Sequence, residues 1–142
     1  MLSRGRRIAF DYGEARIGVA VCDPDAILSS PHSVLQARNP ALMQELKKIL
    51  QEIEPIHIYI GLPKLMSGND GQSVENAKAF GEKLSAITDL PITYVDERLS
   101  SVSALKKLQE SGKDAKSAKS LIDAMAAVTI LENGLALEAR NV

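Results

Sequence analysis

The sequence predicts an α/β fold: a mixed, five-stranded central sheet flanked by helices. Three observations carry that expectation. Two runs rich in β-branched and aromatic residues, Ile8–Asp11 and Arg16–Cys22, are separated only by Tyr12-Gly13-Glu14-Ala15, a spacing that suits an antiparallel hairpin. Further on, helical patterns alternate with short apolar runs, as in parallel strands joined by helical crossovers. Finally, 142 residues can bury one respectable core but are too few for two ordinary domains, so residues 1–142 read as a single domain.

The elements follow in order. Gly13 supplies the first turn, and a third strand is expected near Ser33–Ala37, after a loop-like segment holding Pro24, Ser29, Ser30 and Pro31. Asn39-Pro40 is a helix start, with Asn as cap and Pro in the first turn. Leu42, Met43, Leu46, Ile49, Leu50 and Ile53 then fall on one helical face, and Pro55 ends the helix. Ile56–Ile60 alternates like a strand until Gly61 and Pro63 break it. Pro63–Gln72, with Gly68, Asn69, Asp70 and Gly71, reads as a surface loop before a helix over Ser73–Thr88, whose buried stripe is Val74, Ala77, Leu84 and Ile87. Pro91 permits a strand over Ile92–Val95 that ends at Asp96-Glu97. A short helix over Ser101–Ser111 stops at Gly112, and the last helix spans Ser117–Leu137.

Charged residues at 25% and hydrophobic residues at 45% argue against intrinsic disorder. The net charge of -1 offers no overall attraction to nucleic acid, so any such attraction must be local. Cys22 is the only cysteine, which excludes an internal disulfide framework and a thiolate zinc site and fits a reducing cytoplasm. The basic start, Met1–Arg7, runs into a strand without an apolar leader core, and no run is long enough to span a bilayer. A cytoplasmic protein without a membrane partner is expected.

Three carboxylate islands point to chemistry. Asp11 ends one apolar run, Asp96 and Glu97 end another, and Asp123 sits among Leu121, Ile122, Ala124 and Met125 in a helical stretch. Burying an ionised carboxylate costs several kcal/mol, roughly, unless a cation or hydrogen bonds compensate. A shared cation is therefore suggested, and an all-oxygen donor set suits Mg²⁺ or Mn²⁺. The plainer readings are a turn-capping role for Asp11, a helix-capping acid pair at Asp96-Glu97, and an ion pair from Asp123 to Lys119 one turn earlier. The last is a surface-type effect of about half a kcal/mol.

The pattern resembles the ribonuclease-H-like superfamily, and within it the bacterial family of pre-16S rRNA nucleases and Holliday junction resolvase homologues (YqgF/RuvX-like). The resemblance covers nearly the whole chain. Its anchors are Asp11-Tyr12-Gly13 with Arg16-Ile17-Gly18-Val19-Ala20, then Gly61-Leu62-Pro63, Asp96-Glu97-Arg98-Leu99-Ser100-Ser101, and Asp123 leading into Ala126-Ala127. It implies that Asp11, Glu97 and Asp123 are metal-binding catalytic residues; Asp96 reads instead as an outer acceptor that orients a ligand or bound water. Arg16 and Arg98 are placed to touch a phosphate or pair with the acids. Leu65 and Ser67 depart from the polar and acidic residues frequent in this family, no arginine stands near Gln72-Ser73, and Ala15 replaces an often basic neighbour of Arg16.

Lys106, Lys107, Lys113, Lys116 and Lys119 form a candidate nucleic-acid track, or else a solvated helix face diluted by Glu110 and Asp114. Arg4, Arg6 and Arg7 read as a second basic arm or a frayed end. His57, in an isoleucine-rich strand, reads as a packed or edge histidine, and Cys22 as a small core residue. Aromatic residues are only 4%, so base stacking cannot be widespread. The expected activity is metal-dependent phosphodiester hydrolysis by a monomer or homodimer, the resemblance implying 5′-end maturation of pre-16S rRNA. Alternatives are resolution of branched, four-way DNA junctions and a non-catalytic nucleic-acid-binding factor. An actin-like or sugar-kinase ATPase would need two domains around the nucleotide.

Overall fold

A computed structural model describes residues 2–62, 71–96 and 115–140, except for the side chains of 115–121 and 123. Five strands, β1 (Arg7–Tyr12), β2 (Arg16–Cys22), β3 (Ser29–Gln36), β4 (His57–Leu62) and β5 (Ile92–Asp96), form one sheet in the order β3-β2-β1-β4-β5. The pairs β1–β2 and β2–β3 are antiparallel, whereas β1–β4 and β4–β5 are parallel. The sheet is therefore mixed, as expected. The three described helices are α1 (Leu42–Ile53), α2 (Gly71–Ser85) and α3 (Ala115–Arg140). None of them is long and apolar enough to cross a membrane.

Both sheet faces are covered, which explains why the central strands read as nearly continuous apolar runs. On one face Ile8, Phe10, Ile17, Val19, Ile58 and Ile60 pack against Leu46 and Ile49 of α1 and Val74, Ala77, Phe80 and Leu84 of α2. On the other, Ala9, Ala20, Cys22, Tyr59 and Val95 pack against Ala127, Val128, Ile130, Leu131 and Leu135 of α3. Small residues let α3 approach closely. A Cβ on Gly134 would lie 2.6 Å from Cδ1 of Tyr59, so the ring occupies the space that a side chain there would need.

Several boundaries moved for local reasons. Asn39 does begin the α1 region, but as a turn: its Oδ1 accepts from the Ala41 amide at 3.0 Å, and its carbonyl accepts from the Leu42 amide at 3.0 Å. Ala41, at φ -91° and ψ 12°, has not yet reached helical geometry. Helix α2 opens two residues earlier than expected, at Gly71, and its buried stripe adds Phe80 and Gly81. Strand β3 opens at Ser29, four residues early, because an edge strand tolerates Pro31 where a central one would lose a ladder bond. Helix α3 runs beyond the expected span at both ends. The helix expected over Ser101–Ser111 and most of the loop expected over Pro63–Gln72 lie outside the described residues.

The arm formed by Arg4, Arg6 and Arg7 divides. Arg4 is an exposed partner of Asp25. Arg7 is neither frayed nor an arm: it opens β1 and is only 1% exposed, because the sheet and α3 close over it and Glu138 supplies its counter-charge.

Candidate active site at one edge of the sheet

Strand alternation fixes which way each β1 residue faces. Phe10 and Tyr12 pack toward α1 and α2, so Asp11, like Ala9, belongs to the α3 side. Asp11 is half-buried, one residue before the strand ends. Its register partner on β2 is Gly18, which brings no side chain of its own beside the carboxylate. Arg16 precedes Gly18 by two residues and so shares the α3 side with Ala20 and Cys22. Asp11 and Arg16 are diagonal neighbours at the same strand edge, within reach for long side chains. The turn between them is closed by the Gly13 amide donating to the Arg16 carbonyl at 2.9 Å.

Asp96 reaches the same edge from β5, in register with Leu62 of β4. It is exposed, and because Val95 packs toward α3, alternation turns Asp96 toward the other side of the sheet from Asp11. Glu97 and Arg98 lie outside the described residues, as do Lys106, Lys107 and Lys113.

Helix α3 approaches this edge from the opposite direction. Its carboxyl end is fixed at the start of β1, where Arg7 donates to Glu138 through Nε at 3.3 Å and Nη2 at 2.7 Å. Gly134 then sits on Tyr59 of β4. From these anchors the helix runs antiparallel to β1 and β4, carrying its amino-terminal half toward the strand ends that bear Asp11 and Asp96. Position 123 lies in that half, one turn before Ala127 and in line with Ala127, Ile130 and Gly134. Lys116 and Lys119 fall in the first turns of the same helix. Among the described residues no three acidic, histidine or cysteine side chains converge. The side chains of Glu97 and Asp123 lie outside that set.

The far end of the sheet has a different character. Glu138 accepts from Tyr59 Oη as well as from Arg7, and the Arg7 Nη1 group donates to the Gly5 carbonyl at 2.6 Å. His57 stacks on Tyr59 with ring centroids 4.5 Å apart and shares a 2.7 Å hydrogen bond with Thr93 Oγ1. Partial burial would raise the Glu138 carboxyl, but the hydrogen bonds from Arg7 and Tyr59 and the Arg7 charge outweigh it and hold the group below its ordinary value. Burial pushes the Tyr59 hydroxyl up, and the Glu138 carboxylate adds to that. Burial lowers His57 below its ordinary 6.5, although Glu138 pulls the other way. Cys22 is buried in the core, as expected, and its thiol is raised by that burial.

Glu138 was absent from the sequence-derived candidates. A usable clue was present: it continues the line of Leu131 and Gly134 along the apolar face of α3, matching the arginine that opens an apolar strand.

Residues 5–137 match the model of the RuvX family, described as Holliday junction resolvase. The chain belongs to the RuvX family. A relative from Streptomyces avermitilis, named "Putative pre-16S rRNA nuclease", is 42% identical over 139 residues, covering 96% of this chain and 89% of its own. A relative of the same name from Streptomyces coelicolor is 41% identical, with 96% and 83% covered. Among solved structures, Thermus thermophilus RuvC in complex with a Holliday junction substrate superposes with a TM-score of 0.52 at 15% identity, covering 86% of this chain and 91% of that one. The RuvX chain thus has the ribonuclease-H-like fold that its motifs imply.

Proposed function

We propose that this chain is a divalent-metal-dependent nuclease that hydrolyses phosphodiester bonds in structured RNA, and that it matures the 5′ end of pre-16S rRNA. The observation that carries this reading is directional: β1 delivers Asp11, β5 runs toward Glu97, and α3, anchored at its far end, brings position 123 back toward the same edge. The names borne by the relatives support the RNA substrate.

The donor chemistry fits Mg²⁺ or Mn²⁺. Asp11, Glu97 and Asp123 offer only hard oxygen ligands, while Cys22 and His57 lie toward the opposite end of the sheet. Bound divalent cations would stabilise charge on the transferring phosphoryl group and lower the pKa of the attacking water. Asp11 would hold them from β1, opposite the side-chain-free Gly18. Arg16, on the same side, would orient a non-bridging phosphate oxygen, with Arg98 as a second donor. Asp96, turned to the other side, would orient water or a neighbouring group rather than ligate. Lys106, Lys107, Lys113, Lys116 and Lys119 would follow the phosphate backbone toward the site.

The family description favours a second substrate, the four-way DNA junction. That activity would require a symmetric dimer to present two such edges to opposite strands. Purified protein incubated with precursor ribosomal RNA and with junction DNA, in Mg²⁺, Mn²⁺ or chelator, separates the two. Metal-dependent cleavage of the RNA at its 5′ flank is expected; cleavage of neither substrate, or cleavage that survives chelation, overturns the proposal.

A further inference from the structure

We propose that the cavity between α1 and α2 beside Tyr12 is a subsite for one unpaired nucleobase of the substrate strand, an inference that rests on the nuclease reading above. The cavity holds about 360 Å³, and Tyr12, Asn39, Met43, Asn76, Phe80 and Lys83 line it. That is the small end of the range for ligand pockets and suits a single planar base.

Its position connects it to the chemistry. Asp11 and Tyr12 are consecutive residues at the end of β1, so alternation sends the carboxylate to the α3 side and the ring to the α1/α2 side. A nucleotide straddling this edge would direct its phosphate one way and its base the other. The cavity walls also concentrate a scarce resource. The chain has two Phe, three Tyr and no Trp; two of those five rings line the cavity and a third supports them from the core. Tyr12 stacks on Phe80 with centroids 5.0 Å apart and planes at 10°, while Phe10 braces Phe80 edge-on at 5.5 Å. Such a fixed stack is a platform that a base extends without ordering a loose side chain.

Polar groups complete the fit. Lys83 supplies positive charge, and among the described residues no carboxylate lines this cavity. Asn76 accepts from Gln72 through Oδ1, so its amide nitrogen is the atom it can offer a base edge. Asn39 is already committed to the Ala41 amide and to Glu45. Two other cavities, of about 350 and 270 Å³, carry Glu54 in one and Glu45 with Glu52 in the other. Both lack a phenyl or phenol ring, and Lys47 in one and Lys48 in the other are matched or outnumbered by these acids, so neither carries net positive charge.

The test uses the Asp11→Asn chain in chelator, so that binding is read without cleavage, and a duplex with a single-stranded flank carrying 2-aminopurine. Ribose and deoxyribose versions of the probe are compared, and quenching of either supports the subsite. Tyr12→Leu is expected to abolish the quenching and weaken binding about tenfold, within the range of one lost base–aromatic stack. Tyr12→Phe should restore both, and Lys83→Glu, on an exposed helix position, should weaken binding severalfold with the fold intact by circular dichroism. Quenching that persists in Tyr12→Leu, failure of Tyr12→Phe to rescue, or equal affinity for a fully paired duplex overturns the subsite. With Mg²⁺ supplied in place of chelator, cleavage by Asp11→Asn at the wild-type rate would instead refute the metal chemistry and leave the fluorescence result standing.

Discussion

The two ends of the sheet use charged side chains in opposite ways. At the end where β1 and β4 begin, Arg7, Tyr59 and Glu138 saturate one another, and no buried side-chain polar atom among the described residues lacks a partner. At the end where they finish, half-buried Asp11 stands near the end of β1 and exposed Asp96 ends β5, which runs in the same direction. A closed network resists change and holds geometry; carboxylates brought to strand ends, where the chain leaves the sheet, are placed to meet cations and substrate. The closed end therefore holds the register of α3, and the proposed chemistry at the other end would depend on that register.

Neutralising an acid at that other end gives the largest expected effect. Asp11→Asn should reduce cleavage of precursor RNA by about 10²–10³-fold or more, the scale of losing one electrostatic stabiliser at a reacting phosphoryl group. Its melting temperature should hold or rise slightly as carboxylate repulsion is relieved. A variant that cleaves normally would remove the contrast between the ends.

At the closed end the expected change is in stability. Glu138→Ala strips the counter-charge from an arginine that is 1% exposed. A loss of about 3 kcal/mol is expected, at the low end for a broken buried pair because Glu138 itself is partly exposed, which lowers the melting temperature on the order of 10 °C. Chemical denaturation of the variant checks it; an unchanged midpoint would mean that the network is ornamental. Gly134→Ala, which drives a methyl into the Tyr59 ring, should cost about 1–3 kcal/mol by the same measurement.

The smallest effect is on pH dependence. His57 has a folded pKa below 6.5, so the unfolded chain binds the proton more readily and stability declines as pH falls below about 6.5. Glu138 has a folded pKa below its ordinary 4.5, so its contribution is fully present above that pH and is lost as pH falls through the folded value. Melting temperatures measured from pH 7 to pH 5 should fall, and His57→Gln should flatten that slope while leaving the steeper loss at lower pH. An identical profile in the variant would place the titration elsewhere.

The strands were legible because their patterns are local. Arg16–Cys22 was read to the residue, since β-branched residues and flanking turns mark it on both sides. Asp11 was legible for the same reason, as a charge at the end of an apolar run. The start of β3 was not, because Pro31 argues for a loop unless one knows that the strand lies at an edge. Arg7 and Glu138 were missed as a pair because 131 positions separate them, and nothing in a linear pattern reports a contact at that distance. The parity that separates Asp96 from Asp11 likewise exists only once the strands are in register.

That long-range clasp also orders events in time. Helix α3 can settle onto β1 only after position 138 has left the ribosome, and contacts so distant along the chain form late. On the proposed function, a half-made copy would be harmless to the RNA around it: the strands could assemble during synthesis while the helix bearing Asp123 was still undocked, delaying any cutting until that helix had been made.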